Sequence, residues 1–73
     1  MILECIIQPE NAADENRIQW EYSEDDKHYG QLPSDVTRTG AKLLISEVKK
    51  FHRGYYRCKL NDVSFTVLVR VKG

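Results

Sequence analysis

The sequence predicts an all-β fold, with two sheets of short antiparallel strands facing each other across one core. Three observations carry the prediction. Apolar residues Leu43, Ile45 and Val48 are followed by Gly54, Tyr56 and Cys58 at every second position, which describes a strand, a corner and a second strand facing a common interior. Treating Asn61-Asp62 as a two-residue loop sets Leu60 opposite Val63, Cys58 opposite Phe65 and Tyr56 opposite Val67. A slip of one residue would bring Ser64, Thr66 and Arg70 to the interior instead, so the pattern itself selects the register. Finally, no stretch has a helical period, and no repeat or low-complexity segment interrupts the chain.

Each element follows from its own residues. Ile2 to Gln8 alternates, with Leu3, Cys5 and Ile7 on one face, and reads as a strand. Pro9 to Asn16 is polar and starts with proline, which reads as a loop. From Arg17 to Tyr22 the residues Ile18, Trp20 and Tyr22 point inward and Gln19 and Glu21 outward; Trp20, in phase with its neighbours, is a core residue rather than a ligand platform. Ser23 to Lys27 is a charged turn, and Tyr29 to Leu32 a short strand that Pro33-Ser34-Asp35 breaks. Residues 36 to 39 make a brief edge strand before Gly40, and Lys42 to Val48 a strand with Leu43 and Ile45 inward.

Cys5, Trp20, Tyr56 and Cys58, in that order, resemble the immunoglobulin superfamily, whose hallmarks are an inter-sheet disulfide, a tryptophan packed on it and a tyrosine two residues before the second cysteine. The resemblance implies an immunoglobulin-like Greek-key sandwich of the intermediate or C2 type. In it Cys5 and Cys58 form the disulfide, Trp20, Leu43 and Ile45 the core, and Tyr56 a tyrosine corner whose hydroxyl bonds nearby backbone. The interval between Trp20 and Cys58 leaves little room for the extra strands of a variable-type domain. It also implies strands B to G with strand A missing, since the numbering starts almost on the first cysteine, and hence an open edge beside residues 2 to 7. One position departs from the family. Two residues before the corner glycine, where the family usually has an aspartate paired with a base near strand D, stands His52; the nearest such base is Arg38. With His52 that pair cannot form, and the expectation is a solvated imidazole, with a pH switch as the sharper alternative.

Size and charge bound the rest. A chain of 73 residues is one domain, 1–73, too small for a core alone to stabilise comfortably. A Cys5–Cys58 bridge would close a long loop and contribute roughly 4 kcal/mol in the chain-entropy model; the alternative is two buried thiols, as in intracellular modules of the family. Lysines plus arginines and aspartates plus glutamates both total 11, so no net field draws the chain to nucleic acid or membrane. Apolar runs fall far short of a membrane span, and Asn11, Asn16 and Asn61 are not glycosylation acceptors.

Catalytic and metal chemistry find no foothold. Cys5, His28, His52 and Cys58 are scattered and lack the paired spacing of structural zinc ligands, and no cofactor motif is present. Ser34-Asp35 has no placed base, and neither a nucleophile elbow nor a phosphate-cradling glycine loop occurs. An enzyme is not expected. The remaining candidate is a surface. Gln19, Glu21, Tyr55, Arg57, Lys59, Thr66, Leu68 and Arg70 share the outward side of one sheet, a mixture of aromatic, arginine and polar groups suited to protein contact. Ile6 and Leu44 point outward from the other sheet.

Lys49, Lys50, Arg53, Arg57 and Lys59 form a basic stretch without an acid. Its plain reading is solvated pairing with Glu24, Asp25 and Asp26; the sharper one is a site for sulfated polysaccharide or acidic protein. The functional expectation is a non-catalytic, protein-binding module of a multidomain cell-surface receptor or adhesion protein, extracellular, contacting a protein ligand or neighbouring similar domains. Its rival is a structural module of an intracellular muscle or cytoskeletal scaffold, with free thiols. A third expectation is that the edge beside Ile2 to Ile7 accepts a strand from another chain, giving a homodimer.

Overall fold

The computed structural model describes residues 1–7 and 16–71, which form six strands: β1 (Ile2–Glu4), β2 (Gln19–Ser23), β3 (Val36–Thr39), β4 (Lys42–Ile45), β5 (Gly54–Leu60) and β6 (Val63–Val69). They make two antiparallel sheets, ordered β1-β4-β3 and β2-β5-β6. The expected loop from Pro9 lies outside the described residues except for Asn16, as does Gln8. Several strands are shorter than the alternation predicts. The pattern after Ile45 continues but the pairing does not, because β3 and β1 both run out of partners at Val36 and Met1. Val48, expected in the core, is therefore exposed. Tyr29 to Leu32 makes only one bridge, Gly30 to Tyr22, before Pro33 withdraws a backbone donor.

The core sits between the sheets. Ile18, Leu43, Ile45 and Tyr56 are fully buried, and Trp20 retains 7% exposure. A disulfide joins Cys5, just past β1, to Cys58 of β5, with 5.9 Å between their Cα atoms, so it links one sheet to the other. The sequence separation of 53 corresponds to about 4 kcal/mol of loop-closure stabilisation. The β5–β6 hairpin has the register read from the sequence, Leu60 to Val63, Cys58 to Phe65 and Tyr56 to Val67. Asn61 takes a positive φ of 54° as the first residue of its two-residue loop. Depth differs from expectation. Val63 is 47% and Phe65 39% exposed although each stands in the same cross-strand row as a buried β5 residue, Leu60 and Cys58.

The corner before β5 is held by hydroxyls and a histidine. Tyr56 donates to the His52 carbonyl at 2.8 Å, and burial pushes its own pKa up to about 12. Tyr22, whose ring lies 5.0 Å from that of Tyr56, donates to the Arg53 carbonyl. Gly54 then passes under Tyr22 with φ +146°. A Cβ there would meet the Ser23 carbonyl oxygen and the Tyr22 ring at 2.7 Å, so only glycine fits. His52 is not solvated. It closes the 3-10 turn Lys50–His52, is fully buried, accepts the Lys49 N–H at Nδ1 (2.8 Å) and faces Asp35 at Nε2 (2.7 Å). An Nδ1 that accepts leaves the proton on Nε2, which donates to the Asp35 carboxylate. Arg38, freed from that corner, donates instead to the Ile18 carbonyl at 3.2 Å.

Candidate protein-binding face

The outer face of the β2-β5-β6 sheet is laid out in cross-strand rows. Gln19 stands beside Lys59, Arg57 between Glu21 and Thr66, and Tyr55 between Ser23 and Leu68. Strand alternation alone brings these positions to one side. Arg57 is the centre. Its guanidinium donates to Glu21 at 3.1 Å and stacks 3.9 Å from the centroid of the Tyr29 ring, while its Nε is buried without a hydrogen-bond partner. Pairing on one side and stacking on the other fix a side chain that would otherwise sample many rotamers. Tyr55 is half-buried, Leu68 is 43% exposed, and Lys59 and Arg70 are exposed at the margins.

Tyr29 belongs to this face, which the sequence reading did not anticipate. The preceding turn places it. Asp25 accepts the backbone N–H groups of His28 (3.0 Å) and Lys27 (2.9 Å), the Ser23 hydroxyl (2.9 Å) and a contact from the His28 ring. These bonds, led by the His28 backbone N–H, hold the Asp25 carboxyl well below the usual carboxylate range. Asp26 then turns at φ 64° and accepts the Tyr29 hydroxyl. Burial, followed by the bond to Asp26, raises the Tyr29 pKa. The charged turn from Ser23 to Lys27 was legible in the sequence; the ring's landing point on Arg57, far along the chain, was not.

The basic stretch does not form one patch. Lys49, Lys50 and Arg53 lie before β5, Arg57 is engaged at mid-strand, and Lys59 lines a cleft of about 540 Å³ at the far end with Gln19, Arg38 and Asn61. Among the described residues, no ion pair joins Glu24, Asp25 or Asp26 to Lys49, Lys50 or Arg53. Asp25 and Asp26 serve their own turn instead. Glu24 and Arg53 meet only through their opposed influence on the Tyr22 hydroxyl.

On the other sheet, Ile2, Ile6 and Leu44 are exposed, with Ile2 directly beside Leu44 and a Glu4–Lys42 ion pair at 3.5 Å on the same face. No family model, curated protein or solved structure matches this chain.

Proposed function

We propose that this chain is an immunoglobulin-like module that binds protein without catalysis, as part of a multidomain cell-surface receptor or adhesion protein. In this reading β1 to β6 are strands B to G of a Greek-key sandwich, and the sheets B-E-D and C-F-G match the sheet composition of the family. The inter-sheet disulfide, the buried Trp20 beside it and the Tyr56 hydroxyl bonded four residues upstream support the same assignment. A cysteine pair at bonding distance favours an oxidising compartment over the cytoplasmic scaffold alternative.

The observation that carries the functional reading is the preorganised Arg57, held between Glu21 and Tyr29 with Tyr55 and Leu68 alongside. Arginine and tyrosine dominate binding energy at protein interfaces, and a side chain already fixed loses little entropy on contact. Two measurements test it. Thiol titration of the denatured, unreduced protein should find none, whereas two thiols would return the chain to the intracellular scaffold reading. Labelled protein applied to a panel of cells should bind at least one type, and Arg57→Glu and Tyr55→Ala should each weaken binding at least tenfold while both variants remain fully folded by circular dichroism at the assay temperature. Equal binding by both variants would remove the face from the proposal.

A further inference from the structure

Among the described residues no strand pairs with the outer edge of β6, and its backbone parity can be read twice. A two-residue loop makes Leu60 and Val63 the hydrogen-bonded pair that closes the hairpin. Alternation then directs the main-chain groups of Val63, Phe65, Val67 and Val69 to β5 and those of Ser64, Thr66 and Leu68 to the free edge. The opposite side of the sheet agrees. Tyr22 spends its N–H and carbonyl on Gly30, so Gln19, Glu21 and Ser23 are the β2 residues bonded to β5, through Lys59, Arg57 and Tyr55. That leaves Gly54, Tyr56, Cys58 and Leu60 to bond β6, the same parity.

We infer that this edge pairs with the same edge of a second copy, antiparallel and centred on Thr66. In that register Thr66 meets Thr66, and Ser64 meets Leu68 at both flanks, each pair exchanging two main-chain bonds. The inward row gains as well: half-exposed Phe65 comes beside Val67 of the second copy, and Val63 beside Val69. One step further out, Asp62 stands opposite Arg70 of the second copy, and the two-fold axis makes that opposite-charge contact twice. No like charges face each other. Centring on Phe65 or Val67 keeps the edge-facing groups opposed but sets Asp62 opposite Leu68 or Arg70 opposite Ser64, so neither neighbour makes the Asp62–Arg70 contact. That charge pair selects the Thr66 register. The outer edge of β1 offers less: it is three residues long and directs only Ile2 and Glu4 outward, against three residues on β6.

The contact is one strand wide, so the dimer is weak and is sought at high protein concentration. Sedimentation velocity up to about 1 mM should show a reversible dimer for the native sequence. Asp62→Arg and Arg70→Asp, each converting both attractions to repulsions, should raise the dissociation constant at least tenfold, and the double variant D62R/R70D should restore it. Hydrogen exchange of the Ser64, Thr66 and Leu68 amides should slow as concentration rises. A native protein monomeric throughout, charge variants that dimerise unchanged, or concentration-dependent protection at Ile2 and Glu4 instead would each overturn the inference.

Discussion

β5 and β6 carry the same inward alternation of apolar side chains, yet one is buried and the other is not. Gly54, Tyr56, Cys58 and Leu60 are all buried, whereas on β6 only Val69 reaches that depth and Val63 and Phe65 are half-exposed. β5 is the middle strand of its sheet and lies under the disulfide, with β2 and β6 at its sides. β6 is the outer strand of its sheet, and among the described residues no further strand pairs with it. Alternation decides which way a side chain points, but depth depends on what lies across from it.

The strongest challenge to this contrast is removal of its clamp. Replacing Cys5 and Cys58 together with alanine should cost about 4 kcal/mol, read as a fall in the urea midpoint, and a loss below about 1 kcal/mol would mean that β5 owes its burial to packing alone. Next comes a paired truncation. Leu43→Ala, at a fully buried site facing β5, should cost about 3 kcal/mol, while Phe65→Ala on the uncovered strand should cost about 1 kcal/mol or less in the dilute monomer. Equal losses in denaturant titration would show that β6 is covered in solution.

His52→Ala should cost about 2 kcal/mol, since it leaves the Lys49 N–H without its acceptor and opens a cavity behind Asp35. If the imidazole were solvated, thermal melting would scarcely change. The smallest effect is confined to alkali. With the Tyr56 pKa raised from about 10 to about 12, the folded state retains a proton that the unfolded chain releases. The resulting stability is complete below pH 10 and declines as pH rises toward 12. Tyr56→Phe should flatten that part of the unfolding curve while lowering stability at neutral pH through the loss of the His52 carbonyl bond.

Much of the fold was legible because its determinants are local. The hairpin register follows from period-two alternation and a loop that tolerates positive φ at Asn61, both readable within a dozen positions. The inward set Ile18, Trp20, Leu43, Ile45, Tyr56 and Cys58 was likewise recoverable from spacing. His52 was not, because its two partners come from different places: the Lys49 N–H from its own turn and Asp35 from a segment 17 positions away that only sheet stacking brings near. The candidate face was half legible. Strand parity placed Arg57 between Glu21 and Thr66, but Tyr29 reached it from a loop whose path is set by the bonds of Asp25. The basic run misled for a related reason. The run from Lys49 to Lys59 passes from the 3-10 turn Lys50–His52 into β5, which rises about 3.4 Å per residue, so its cations end among different neighbours.

The chain alone specifies strand identity, facing direction and hairpin register, since these depend on backbone chemistry and side-chain order over a few residues. Burial of His52, exposure of Phe65 and the clamping of Arg57 arise only when distant segments meet. No short-range pattern encodes how far a neighbouring layer will extend, and desolvation depends on that extent.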